Sequence, residues 1–355
     1  MDKFKKIGLT ALGTTLVASS AIAAEATVTG STGYTYSSEE VGTSTTDGIG
    51  FYNNMKMVVS GELDNGWSTT GSMLLTEDSS LSSSWASLTM GGMGTIVVGN
   101  GYGGLGAGFD DATPRAYEEN HDGMKTSTVL DNMGAAIDDG QILYTSPSFD
   151  IMGASVSFGY EYAPEASDAA VGDGEVSTSS NVWSSGQGAS LNLSYGSLSA
   201  GLYGSERTLD TGSNNGTAAY NGDSMNATWF VNYSAGPLSV GYQEAGIDNA
   251  LVGTGGAATA AKTVAASTGI FESEQISVVF NVNDDLSVGY GDRSETYDAQ
   301  SATIADVTMD STKLEFAYTM GSMALKGYQI ETDNPGWDSD ASSDEVTELS
   351  LTFSF

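Results

Sequence analysis

Hydrophobic and polar residues alternate with a period of two through most of the chain. In residues 276–282 the even positions are apolar and most odd positions are polar or small. The same alternation runs through residues 286–291, 191–195 and 156–160. Such segments of about ten residues predict strands with one apolar and one polar face, of the length that spans a membrane when the strand is tilted.

The breaks between these segments alternate between short turns and longer polar stretches. The short turns are predicted at 64–66, 91–94, 146–148, 196–197, 235–237, 283–285 and 321–322. The longer stretches cover 38–49, 78–82, 101–138, 163–186, 208–222, 245–269, 298–308 and 332–344. This rhythm is typical of an up-and-down antiparallel barrel with tight turns at one end and long loops at the other.

Fifteen connections predict sixteen strands, an even count in the range that leaves a water-filled lumen. The predicted strands are 26–37, 50–63, 67–77, 83–90, 94–100, 139–146, 150–162, 187–196, 197–207, 223–234, 237–244, 270–282, 285–297, 309–320, 322–331 and 345–355. An error at 83–90 or within 245–269 would change the count to fourteen or eighteen.

The chain ends on a strand in which every second residue is apolar. Leu351, Phe353 and Phe355 form the apolar face of this last segment. We expect the last strand, 345–355, to pair with the first, 26–37, because closure removes both sheet edges.

The N-terminus has the features of a secretory signal peptide. Lys3, Lys5 and Lys6 precede an apolar run at 7–17, and small residues follow. Cleavage is expected after Ala23 or Ala24, which leaves 24–355 as one barrel domain. The apolar run is too short to span a bilayer as a helix.

Composition narrows the class of protein further. The chain has 11 basic and 45 acidic residues, and removing the signal peptide leaves 8 against 44. Nucleic acid is therefore excluded as a partner, since phosphate binding needs a cationic face. There is no cysteine, proline is scarce and glycine is abundant. An outer-membrane barrel and an acidic, β-rich surface protein both fit these numbers.

The signal peptide, the sixteen-strand rhythm, the long third loop and the terminal Leu351-x-Phe353-x-Phe355 together resemble the general diffusion porins of Gram-negative bacteria, most of all the alphaproteobacterial type. The terminal motif resembles the signal read by the barrel-assembly machinery during insertion. The resemblance implies a homotrimer in the outer membrane, in contact with lipid and lipopolysaccharide, with the third loop folded into each barrel.

The third loop, at 101–138, follows a glycine-rich stretch that we interpret as its flexible entry. If the loop enters the lumen, its charged residues form one side of the pore constriction. The predicted constriction residues are Asp110, Asp111, Arg115, Glu118 and Glu119. The alternative is an acidic loop that faces outward into solvent.

The few basic residues of the strands are out of phase with their apolar neighbours. They are therefore predicted to face the lumen, because a charge on the lipid face near mid-membrane costs about 2–4 kcal/mol. The predicted basic wall consists of Lys56, Arg207, Arg293, Lys313 and Lys326. Opposed to the loop acids, these cations would set up a transverse field across the constriction.

No catalytic constellation is evident, so the chain is not predicted to be an enzyme. His121, the one histidine, is expected to be a solvated loop residue, and no cofactor is predicted. Carboxylates at Glu39–Glu40, 168–175 and 333–344 could bind Ca²⁺ or Mg²⁺, although a solvated negative vestibule is the simpler interpretation.

The sequence thus predicts a passive, cation-preferring channel for small hydrophilic solutes. Two alternatives stay open: a substrate-specific channel on the same fold, and an acidic surface protein or adhesin without a pore.

Overall fold

The structure is a computed structural model. It describes residues 25–76, 80–100, 103–124, 133, 137, 140–166, 183–209, 222–248, 269–298 and 305–355. The predicted signal peptide at 1–23 and the acidic segment at 168–175 lie outside the described residues. Within them, no helix is long and apolar enough to cross a membrane.

The described chain is a single antiparallel sheet that closes on itself. Its strands are β1 (Glu25–Val41), β2 (Ser44–Glu62), β3 (Ser68–Thr76), β4 (Ser80–Thr89), β5 (Thr95–Asn100), β6 (Gln141–Thr145), β7 (Phe149–Ile151), β8 (Ala154–Ala163), β9 (Trp183–Tyr195), β10 (Leu198–Leu209), β11 (Ser224–Ala235), β12 (Leu238–Asp248), β13 (Ile270–Asn281), β14 (Leu286–Asp298), β15 (Val307–Met320), β16 (Met323–Asp333) and β17 (Asp344–Ser354). Because β6 and β7 both pair with β8 and form one spanning strand, the barrel has sixteen strands, as predicted.

Closure joins the two ends of the chain. β17 pairs with β1, with Thr32 opposite Phe353 and Tyr34 opposite Leu351. Beyond the strand, the amide of Phe355 donates to the carbonyl of Gly30 at 2.9 Å, and the amide of Gly30 donates back at 2.8 Å. The predicted pairing of the last strand with the first is confirmed, and it removes the two edges that these strands would otherwise expose.

The two faces of the barrel are the inverse of those of a soluble protein. In β13 the outward Ile276 and Phe280 are each 44% exposed, whereas the inward Gln275 and Ser277 are buried. Burial alternates in this way along the whole strand. In the middle of the strand, apolar side chains such as Ile276 face outward and polar ones such as Gln275 and Ser277 face the lumen, which suits a barrel surrounded by hydrocarbon.

Tyrosine and tryptophan side chains, which are enriched at membrane–water interfaces, lie on this outward face. They are Tyr34, Tyr36, Tyr160, Tyr162, Trp229, Tyr233, Tyr242, Tyr290 and Tyr318, as their strand pairings show.

One predicted turn is wrong. Residues 146–148 do not reverse the chain but interrupt a spanning strand, because Pro147 has no amide to offer the ladder. Ser146 keeps the strand in place: its amide donates to the carbonyl of Phe158, and its hydroxyl accepts from the amide of Phe158. The true turn is Met152–Gly153, whose φ values of 56° and 86° place both residues in the left-handed region favoured by tight hairpins.

The first predicted outer loop is also wrong. Residues 38–49 continue the hairpin of β1 and β2, with Val41 opposite Ser44 across a tight turn at Gly42. The polar composition of this segment hid the strand, because both faces of a strand beyond the membrane can be solvated.

The outer connection at 334–343 folds back over the barrel mouth. Trp337 is buried against Phe271 and donates from its indole nitrogen to the carbonyl of Glu295 at 3.2 Å. With Tyr297 and Met309 it forms an apolar cluster inside the wall, which the sequence did not predict because Trp337 lies in a polar segment.

Candidate functional site

The described part of the third long connection, residues 103–124, lies inside the barrel against its inner wall, as predicted. The first attachment is Glu161 on β8, which is fully buried. Its carboxylate accepts from the amide of Leu105 at 2.6 Å and from the hydroxyl of Tyr203 at 2.7 Å. Phe109 then packs against Tyr203 and Phe230, with ring centroids 5.5 and 5.6 Å apart.

Two glutamines of the wall fix the next stretch of the loop. Gln243 donates to the carbonyl of Phe109 at 2.6 Å and accepts from the amide of Ala112 at 2.8 Å. Gln275, on the neighbouring strand, donates to Asp111 at 2.7 Å and to Gln243 at 2.9 Å. The two glutamines therefore bind the loop between Phe109 and Ala112.

Asp111 differs from its predicted role as a constriction residue. It is buried, and one of its oxygens accepts from the amide and the hydroxyl of Thr113 at 3.2 and 2.8 Å. The other accepts from the amide of Asn120 at 2.6 Å. Asp111 therefore holds the bend of the loop together instead of facing the opening.

Glu315 on β15 is the attachment point for the tip of the loop. Its carboxylate accepts three successive backbone amides, from Ala116, from Tyr117 at 3.1 Å and from Glu118 at 3.0 Å. The sequence offered a signal for Glu315, because it is out of phase with Leu314 and Phe316. No role was predicted for Glu315, Glu161 or the two glutamines, although their positions in the strands have the same inward parity.

All five predicted basic residues lie on the inward face. Two of them, Lys313 and Arg293, are covered by the loop instead of facing it across the pore. Lys313 is buried beneath the loop, where its ammonium group donates to the carbonyl of Asp122 at 2.9 Å and lies 4.3 Å from the ring of Tyr328. Arg293 is also buried there and pairs with Glu295 at 3.3 Å. Lys313 thus satisfies backbone carbonyls of the loop, those of Glu119 and Asp122.

The three other basic residues are separate from one another. Lys326 stacks over Tyr117 of the loop at 4.9 Å, and Arg207 lies 4.7 Å from the ring of Trp183 near the outer end of β10. Lys56 on β2 is exposed in the lumen beside Asn54 and Thr29, and contributes to a recess of about 600 Å³. Among the basic residues of the described strands, Lys56 alone is exposed. These residues do not form a continuous row that faces the loop.

Three predicted constriction carboxylates remain accessible from the lumen. Burial raises the pKa of Asp110 to about 6, and it raises the pKa values of Glu118 and Glu119 to about 7. Arg115 is the exposed partner of Glu119, with 2.8 Å between the guanidinium nitrogen and the carboxylate oxygen. These side chains form a partly desolvated acidic surface that titrates close to neutral pH.

His121 is not the solvated residue that the sequence predicted. Its Nε2 lies 3.6 Å from carboxylate oxygens of Glu119 and of Asp122, and its Nδ1 lies 3.4 Å from a guanidinium nitrogen of Arg293. The side-chain atoms of Glu119, His121 and Asp122 that could bind a metal ion lie within 4.8 Å of one another. Because a guanidinium group can only donate, Nδ1 is the acceptor and the neutral ring carries its proton on Nε2, which points at the two carboxylates.

Comparison with known proteins identifies the fold. The chain is similar to OmpF of Salmonella typhi, solved in complex with daunomycin, with a TM-score of 0.68 at 13% identity over 94% of this chain and 98% of that one. It is similar to a porin (TM-score 0.61, 17% identity, 93% and 100% covered) and to the outer membrane channel DcaP of Acinetobacter baumannii (0.61, 11%, 95% and 99%). No protein-family model matches, and no curated protein sequence matches.

Proposed function

We propose that this chain forms a water-filled channel in the bacterial outer membrane, through which small hydrophilic solutes and ions diffuse passively. The observation that carries the proposal is the loop inside the closed barrel: it is fastened to one side of a polar lumen and presents carboxylates to the remaining space. Polar walls and a fixed charged constriction are the elements from which a pore obtains its size limit and its charge preference. The similar fold of an outer membrane channel and of a porin supports this function.

The channel is proposed to prefer cations. Asp110, Glu118 and Glu119 line the lumen side of the loop, whereas Lys313 and Arg293 are buried beneath it. Buried cations compensate the loop where it is attached, and the accessible carboxylates dominate the field that a passing ion experiences.

Planar-bilayer recordings test both statements. Purified protein should give stepwise conductance, and a salt gradient should give a reversal potential of cation-selective sign. The triple variant D110N/E118Q/E119Q should conduct with reduced cation preference, while E331Q, an outward-facing change on β16, serves as the matched control. A folded, heat-modifiable barrel that gives no conductance steps would refute the channel. Conductance with an unchanged reversal potential in the triple variant would refute the proposed source of selectivity.

The assembly proposed is a homotrimer exported through the periplasm and inserted by the barrel-assembly machinery. A row of small and branched apolar residues on the outward face supports a protein contact there: Val59, Gly71, Ala86 and Val98 lie opposite one another across β2 to β5. Cross-linking or mass measurement in mild detergent tests the oligomeric state. Saturable block of the conductance by one solute would favour the substrate-specific alternative.

A further inference from the structure

A groove lies on the outside of the barrel, on the opposite face of the wall from the pore. It has a volume of about 530 Å³, within the range of roughly 300–1,000 Å³ typical of small-molecule sites. Its floor is low because three small residues are cross-strand neighbours on the outward face: Gly204, Ala227 and Gly246. Leu202 and Trp229 form its apolar side.

The groove lies at the level where the apolar belt ends. Trp229, Tyr242 and Tyr290 face outward at this height, and indole and phenol groups are enriched at the membrane–water interface. Along β12 and β13 the residues beyond them toward the outer loops are Glu244, Glu272 and Glu274 instead of apolar side chains. A ligand in the groove would therefore place a polar head among carboxylates and an apolar tail along the belt.

The three glutamates are arranged as acceptors for a positively charged donor. Glu244 is directly opposite Glu274, an arrangement of like charges that is unfavourable without a counter-charge. The hydroxyl of Tyr242 donates to both, at 2.6 and 3.3 Å, and the indole of Trp229 donates to Glu244 at 3.2 Å. These contacts hold the carboxylates in place but supply no charge to neutralise them.

Nothing on the described outward face compensates this charge. Every lysine and arginine of the described strands faces the lumen, and Arg115 is on the internal loop. A phosphate headgroup would therefore meet only negative charge in the groove, whereas an ammonium group would meet three carboxylates and the face of an indole ring. Ser294 and Thr296 add hydroxyls on the far side of the groove, suited to a hydroxylated headgroup.

We propose that this groove binds a membrane lipid whose headgroup carries an ammonium group and hydroxyls but no net negative charge. The proposal rests on the barrel lying in a membrane and is independent of what the pore conducts. It assigns the outward carboxylates of β12 and β13 to lipid recognition and the Gly246 position to the space that the headgroup needs.

Native mass spectrometry of the full barrel in detergent tests the site with two matched probes, a long-chain amino alcohol and its N-acetyl derivative, which lacks the charge. The wild-type barrel should retain the amine and lose the acetylated form. E272Q and E274Q should each weaken retention about twofold to fivefold, the size expected of a solvent-accessible ion pair. E331Q, also outward-facing but outside the groove, should change nothing.

G246F should abolish retention by filling the groove. A Cβ atom at Gly246 would meet only the carbonyl of Phe271 at 3.7 Å, an ordinary contact, so the strand tolerates the change. Heat-modifiable migration in gel electrophoresis, recorded on each variant, shows that the barrel remains folded. Equal retention of both probes, or undiminished retention in G246F and E272Q, would overturn the proposal. So would retention of phosphatidylglycerol that depends on Mg²⁺ and is lost in E272Q, because it would assign the carboxylates to a cation bridge instead.

Discussion

The single carboxylate of Glu315 is predicted to decide whether the tip of the internal loop stays on the wall. It accepts three consecutive amides of the loop. In E315Q the shape is kept, but the charge is lost and one oxygen becomes an NH₂ group that faces backbone N–H donors. The result is at least one lost charge-assisted hydrogen bond and one unfavourable donor–donor contact.

The size of the effect follows from that count. A hydrogen bond to a charged acceptor contributes about 1.5–3 kcal/mol net. Each 1.4 kcal/mol is a factor of about ten in population, so the detached state of the loop tip should become about tenfold to hundredfold more populated. The barrel itself should keep its stability, because its backbone ladder does not involve the Glu315 side chain.

Limited trypsin digestion measures this population directly. Arg115 is exposed, and the peptide bond that follows it is immobilised by the amide of Ala116 on Glu315. When cleavage is slower than reattachment, its rate follows the open population. Cleavage after Arg115, followed by mass spectrometry, should therefore accelerate by about the same factor in E315Q and not in E331Q. Equal rates in wild type and E315Q would refute the reasoning, since the three amides would then contribute nothing to holding the loop.

Four further predictions concern the pH response of the cation preference, the pH response of the loop attachment, a strained turn and the chain end. Cation preference should be constant above about pH 8 and fall as the pH drops toward about 5. In that window the carboxyls of Glu118, Glu119 and Asp110 lose their charge, because their pKa values are raised to about 7, 7 and 6. A reversal potential that does not vary with pH would contradict this. The same raised pKa values mean that the folded loop binds protons more tightly than the unfolded chain, so its attachment should weaken as the pH rises from about 4.5 to 7, measured by the trypsin assay with a pH-corrected peptide control. M152N should raise the free energy of unfolding by about 0.5–1 kcal/mol in denaturant titrations, since Met152 adopts a φ of 56° that asparagine tolerates better. The control is M93N, in a turn where the replaced residue has a negative φ. An equal gain in stability in M93N would refute the proposed cause. F355A should assemble more slowly into vesicles while unfolding at nearly the wild-type denaturant concentration, because the ring is 78% exposed and the strand is closed by backbone hydrogen bonds; a large loss of stability would contradict that division.

The period-two pattern by itself determined the architecture. A strand has only two faces, so the alternation in 276–282 fixes which residues face outward, and the apolar terminus ending at Phe355 fixes which strands must close. The parity rule placed Lys56, Arg207, Arg293, Lys313 and Lys326 on the inner wall for the same reason. It failed at Pro147, where a missing amide interrupts a strand without turning it, and at 38–49, where both faces are polar.

The tertiary structure alone decided how the interior is arranged. Whether Asp111 faces the opening or the wall depends on Gln275 and Asn120, of which the first is 164 positions away along the chain. The same holds for Glu315, whose role depends on amides about 200 positions earlier, and for Lys313, which is covered by the loop. Periodicity assigns a side chain to a face, but which groups meet within that face is set by barrel closure and by the path of the loop.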